Sequence, residues 1–151
     1  MKNTRQKTNK KGFTIIELIA VMVIIGVILS SVLAAVKGAT DNSRITSAIA
    51  SVRALQTASV NYYNSNGGSY TGLSIVTLAS GNYLPANFSG TSNNPWNGNI
   101  TVAPDSNANY FDITLTNVPS GAATSLTNAV SKLTQTAPTY TATSQTWSAA
   151  F

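Results

Sequence analysis

From Phe13 to Val36 the chain is an almost unbroken run of Ile, Val, Leu and Ala that carries one charge, Glu17. As a helix it would be roughly 36 Å long, against about 30 Å for the hydrocarbon core of a bilayer. The apolar core of a secretory signal is shorter, about 7–15 residues. A carboxylate inside a membrane helix costs on the order of 2.5–3.5 kcal/mol, less where it reaches the interface. The run contains no Lys or Arg, so a positive partner for Glu17 has to come from elsewhere. A cut after Gly12 would create an α-amine at Phe13, one helical turn before Glu17 and on the same face. That amine would pair with its own Glu17 or with that of a neighbouring chain.

The 151 residues suffice for one domain and include neither Cys nor His. Disulfides, thiol nucleophiles, imidazole zinc sites and a Ser-His-Asp triad are therefore excluded. The acids Glu17, Asp41, Asp105 and Asp112 are scattered, so no catalytic constellation, metal site or cofactor site is expected, and the chain does not read as an enzyme. The net charge of +5 belongs to the N-terminus, where Lys2, Arg5, Lys7, Lys10 and Lys11 precede Phe13. The remaining Lys37, Arg44, Arg53 and Lys132 balance the four acids. The body thus lacks a basic patch, and no direct nucleic-acid binding is inferred. A basic tip on an apolar run instead orients a membrane segment with its positive end in the cytoplasm.

The stretch Lys10-Lys11-Gly12-Phe13-Thr14-Ile15-Ile16-Glu17-Leu18, followed by the apolar run, resembles the class III signal of type IV prepilins. That family has a short basic leader, Gly before the cut, Phe or Met after it, and Glu at the fifth mature position. The resemblance implies cleavage after Gly12 by a prepilin peptidase and N-methylation of Phe13. It implies a helix that first anchors the subunit in the inner membrane and later forms a filament core. Pilins commonly carry a glycine where Gly26 stands, which loosens the helix inside the filament. Many type IVa pilins have a proline where this chain has Ala34.

The helical pattern continues beyond Val36. Ile45, Ile49, Val52, Leu55, Ser59 and Tyr62 recur at spacings of three and four, and Asn64 to Gly68 ends the helix. One helix of about 50 residues is expected, apolar all round in its first half and amphipathic in its second. A short helix starts near Ser74. Asn87 to Gly98 reads as loop, Ile100–Val102 and Tyr110–Leu115 as a hairpin joined through Pro104 to Asn109. Ser120 would cap a helix carrying Ala123, Leu126, Val130 and Leu133, and Thr139 to Phe151 reads as a last strand. The fold class is α+β: a long N-terminal helix packed on a small antiparallel sheet. The expected division is a basic leader at 1–12, a transmembrane and filament-core helix at 13–36, its amphipathic continuation at 37–66 and a globular domain at 67–151. Tyr62, Tyr63, Tyr70, Tyr83 and Tyr110 read as packing residues, and Trp96 beside Pro95 as a structural wedge in a turn.

The segment Asn94-Pro95-Trp96-Asn97-Gly98 and the hairpin after it are similar to type IVb pilins, notably the bundle-forming and conjugative thin-pilus kinds. The disulfide cysteine of that family would fall near Ala123 and is missing, and the chain stops earlier; both point to a shortened relative or a minor subunit. The resemblance implies a pilus subunit that polymerises with itself or in a mixed pilus. Its partners would be the prepilin peptidase, inner-membrane lipid and an inner-membrane platform with an ATPase. Adhesion, motility, DNA transfer and secretion all run on this N-terminal chemistry. A type II secretion pseudopilin ranks second, because Asn94 replaces the Asp of its turn and no acid-rich loop follows Asp112. A membrane-anchored binding module that never polymerises ranks third.

Overall fold

A computed structural model describes residues 13–85, 88 and 93–151. The leader expected at 1–12, and with it Gly12, lies outside the described residues, as do Asn87 and residues 89–92 of the loop expected from Asn87 to Gly98. The elements are α1 (Ile15–Ser65), α2 (Ile75–Ser80), β1 (Ile100–Pro104), β2 (Phe111–Leu115), α3 (Ser120–Val130), β3 (Thr139–Thr141) and β4 (Thr146–Ala150). They form the expected α+β arrangement of a long N-terminal helix and a small antiparallel sheet. The chain divides into two compact units, Met1–Ala39 and Thr40–Phe151.

In the first unit, α1 has no packed face. Each large hydrophobic from Phe13 to Val36 is at least 49% exposed. Length and apolar composition make α1 the one helix among the described residues able to cross a membrane.

In the second unit, the stripe on α1 turns inward. Val52, Leu55 and Ser59 are buried, with Ile45, Ile49 and Tyr62 half-buried beside them. Ala48 and Ala58 are buried too. Their small side chains carry little weight in a periodicity count, yet they widen the buried stripe. The helix closes where Gly67 takes a positive φ of 68°, and Gly68 donates its amide to the Tyr63 carbonyl at 3.0 Å. Ser74 caps α2 by accepting the Thr77 amide at 3.0 Å.

The sheet is antiparallel in the order β1-β2-β4-β3. Phe111, Ile113 and Leu115 on β2, and Trp147 and Ala149 on β4, are buried at alternate positions, as a sheet with one face on the core requires. Trp147 stands opposite Leu115 on one side and Tyr140 on the other, and its indole N–H reaches Thr127 Oγ1 at 3.1 Å. β1 runs on to Pro104. It is an edge strand, so a missing amide costs no ladder bond. Burial pushes the Asp112 carboxyl above its usual range, and Asp105 adds repulsion. The Ser106 hydroxyl, donating at 2.7 Å, holds Asp105 below it.

Three expectations are corrected. Thr139 to Phe151 is two strands, not one. The chain turns back at Ala142 to Gln145, where Gln145 takes a φ of 49° and no Gly, Pro or Asn announces the turn. Ser120 is not the cap of α3. Pro119 occupies that position without a side-chain bond and accepts the Ala123 amide through its carbonyl. Leu133 lies beyond the end of α3 and is largely exposed, while Ala122, Ala123, Leu126 and Val130 are the buried residues of that helix.

Four tyrosines pack ring against ring, in one pair and one longer chain. Tyr62 meets Tyr83 edge-on at 5.9 Å, Tyr63 meets Tyr70 at 4.7 Å, Tyr70 meets Phe111 at 4.9 Å, and Phe111 stacks on Phe151 at 5.6 Å. Desolvation raises the Tyr70 phenol above its ordinary value.

Ser59 Oγ is buried with no hydrogen-bond partner. A polar atom in that condition is a net cost. Ser59→Ala is therefore expected to stabilise the fold by about 1 kcal/mol. Thermal unfolding of the full chain in detergent checks this. A lowered Tm would mean that the hydroxyl contributes to packing.

Candidate assembly site at the start of the long helix

The first turn of α1 is built by Thr14 and Glu17. The Thr14 amide and hydroxyl donate to Glu17 Oε2 at 2.8 and 2.9 Å, and the Glu17 amide donates back to Thr14 Oγ1 at 3.3 Å. This is a capping box, in which each side chain satisfies a backbone donor that the helix leaves open. Leu18 follows with the first helical bond, to the Thr14 carbonyl at 3.1 Å. Sequence reasoning passed over Thr14, although Thr-x-x-Glu before an apolar run is the signature of this box.

The capping leaves Glu17 with capacity to spare. Both bonds from Thr14 fall on Oε2, and among the described residues Oε1 has no hydrogen-bond partner. Among the described residues Phe13 is the most exposed large hydrophobic, at 86%. Phe13, Glu17, Val21 and Ile25 line one groove of the helix. The carboxylate therefore stands among apolar side chains on the side that also carries Phe13. Beside Gly26 nothing lies within 4 Å of where a Cβ would stand. No group of three or more metal-ligating side chains occurs among the described residues.

A second built feature lies in the turn Asn94 to Gly98. Asn94 is buried, and its side chain donates to the Thr116 carbonyl at 2.5 Å. Its Oδ1 accepts the amides of Trp96 at 2.9 Å and Gly98 at 3.0 Å. A Cβ on Gly98 would sit 1.9 Å from the Thr116 carbonyl oxygen, so only glycine fits there. The turn holds Trp96 half-buried against the core, which bears out its reading as a wedge.

Comparison with known proteins now decides the family. Residues 7–33 match the prokaryotic N-terminal methylation motif, and residues 39–146 match the family described as PilS N terminal. The chain belongs to the PilS N-terminal family. The family match begins at residue 39, one residue before the second compact unit, and the methylation motif runs from residue 7 to residue 33 of the exposed apolar segment. This PilS-family chain is also 29% identical over 126 residues to the major structural subunit of bundle-forming pilus from Escherichia coli O127:H6, and likewise to that from Escherichia coli O111:H-. The matches cover 80% of this chain and 65% of each relative, so the chain spans just under two thirds of the curated relatives it matches. The resemblance to type IVb pilins read from the leader and the Asn94 turn is borne out.

Asn94→Ala would leave the Thr116 carbonyl and two amides without their partner. It is expected to cost about 2–4 kcal/mol. Denaturant unfolding of the full chain in detergent checks this. A loss below about 0.5 kcal/mol would show that the turn holds without its central side chain.

Proposed function

We propose that this chain is a structural subunit of a type IV filament, cut after Gly12, N-methylated on Phe13 and polymerised through its N-terminal helix. One observation carries the reading: a methylation motif on a helical segment, Phe13 to Val36, whose large apolar side chains are all exposed. Such a segment needs a cover. Burying one large aliphatic side chain is worth about 1.5–3 kcal/mol relative to water, so the helix cannot wait in water. Inner-membrane lipid covers it in the precursor, and the same segment of neighbouring copies covers it in the filament. Lipid and neighbours are equally apolar, so the transfer has little hydrophobic drive. Work has to come from outside, and a membrane platform with an ATPase would supply it.

Glu17 gives the docking step its register. Before cleavage the nitrogen of Phe13 is an amide; after cleavage it is a cation. Oε2 holds the capping box and Oε1 accepts from the amine of a neighbouring Phe13. In a low-dielectric core this pair is strong, and an unpaired amine there is costly. Gly26 gives the helix room to loosen during packing. The leader at 1–12, the filament helix at 13–36, its continuation at 37–66 and the globular part at 67–151 follow as functional segments. The pilus relatives favour this reading over a secretion pseudopilin or a fixed anchor.

Capping and charge can be separated. Gln also completes a capping box, so Glu17→Gln keeps the helix start and removes only the charge. The expected result is normal cleavage with filament yield reduced about tenfold or more, since charged hydrogen bonds are worth about 1.5–3 kcal/mol. Glu17→Val should behave at least as badly, and Gly12→Val should block cleavage itself. Immunoblots for processing and electron microscopy of sheared filaments read both steps. Wild-type filament yield from Glu17→Gln would rule out the charge pairing.

A further inference from the structure

Asp41 and Ile45 of α1, Trp96 of the buried-asparagine turn, and Pro119, Gly121 and Ala122 at the start of α3 line a cleft of about 230 Å³. Its volume is that of one large side chain. The cleft is rigidly built. Asn94 fixes the backbone under Trp96, Pro119 fixes the entry to α3, and nothing lies within 4 Å of a Cβ position on Gly121. Its lining residues include a tryptophan and an aspartate. Among the described residues no ion pair forms, and the Asp41 carboxylate makes no hydrogen bond. The natural occupant of an indole beside a free carboxylate is a cation, above all a planar guanidinium, which stacks on the ring and forks the carboxylate.

We propose that this cleft receives Arg53 from a second copy of the chain. This rests on assembly into a filament of parallel copies. Arg53 lies twelve residues along α1 from Asp41, about 18 Å in a helix, so it cannot reach the cleft of its own chain. Its residue is exposed, and its guanidinium has no ion-pair partner among the described residues. Arg44 lies within one turn of Asp41 on the same helix and needs no neighbour to approach it. Lys132 carries a compact ammonium, which lacks the fork. Two parallel α1 helices displaced by about 18 Å along their axis bring Arg53 of one level with Asp41 of the next. The contact joins globular units and is separate from the Glu17 pairing in the apolar segment.

The absence of cysteine from the chain gives a clean test. The variant Asp41→Cys, Arg53→Cys is expressed in a strain lacking the native subunit, and sheared filaments are treated with a short, reducible bismaleimide cross-linker that spans roughly the reach of an arginine side chain, then run without reductant. Within one chain the two positions lie about 18 Å apart along the helix, beyond that reach, so any link joins two copies. The expected result is a ladder of linked subunits that reductant collapses and neither single variant forms. Filaments without a ladder would overturn the proposal while leaving the filament reading intact. A ladder from Asp41→Cys, Lys132→Cys instead would also overturn it. Absence of filaments from the wild-type chain would strike at the filament reading. Asp41→Arg is expected to lower filament yield about tenfold and Asp41→Arg, Arg53→Asp to restore it, because like charges facing across an interface repel. Restoration distinguishes pairing from a folding defect; a double variant no better than the single would count against the pair.

Discussion

The rest of this molecule depends on one unmet requirement, which is cover for the apolar helix from Phe13 to Val36. Its large side chains stay at least 49% exposed, in a chain whose second unit buries its own core well. The hydrophobic effect makes that state untenable in water and acceptable only in lipid or among like helices. Every other feature of the N-terminus answers to that fact. A basic stretch precedes it in the sequence, a carboxylate supplies its one charge, and a capping box satisfies backbone amides at the helix start.

The second unit solves a different problem. It has to hold together without a disulfide. It does so by placing its last strand inside the sheet. β4 pairs with β2 and β3, Trp147 is sealed between them, and Phe111 and Phe151 exchange both backbone hydrogen bonds. The ring chain from Tyr63 to Phe151 and the separate Tyr62–Tyr83 pair add large apolar surfaces to the same core. Asn94 does for the turn before β1 what a covalent bridge would do elsewhere, binding three backbone groups from one buried side chain.

What could be read from the sequence follows from how local each cause is. The long helix was legible because apolar periodicity and the glycine stop act within a few residues. The Ser74 cap and the hairpin of β1 and β2 were legible for the same reason. The turn at Ala142 to Gln145 was not, because tertiary contact rather than turn chemistry places Gln145 at a positive φ; the Val118 amide holds its carbonyl at 2.9 Å. Ala48 and Ala58 escaped notice because alanine carries little hydrophobic signal even where it is fully buried. Phe13 and Glu17 stood out at once as a charge problem inside an apolar run. Thr14 did not, although it shares the carboxylate with whatever binds the other oxygen.

The most direct test of the account is mass spectrometry of the N-terminal peptide from material sheared off the cell surface. A peptide beginning at N-methylated Phe13 is the predicted result. It would show cleavage after Gly12, methylation and export of the helix from the membrane in one observation. Chains that still begin at Met1 and stay with the membrane fraction would contradict the account, since Glu17 would then never meet the amine that its place in the helix requires.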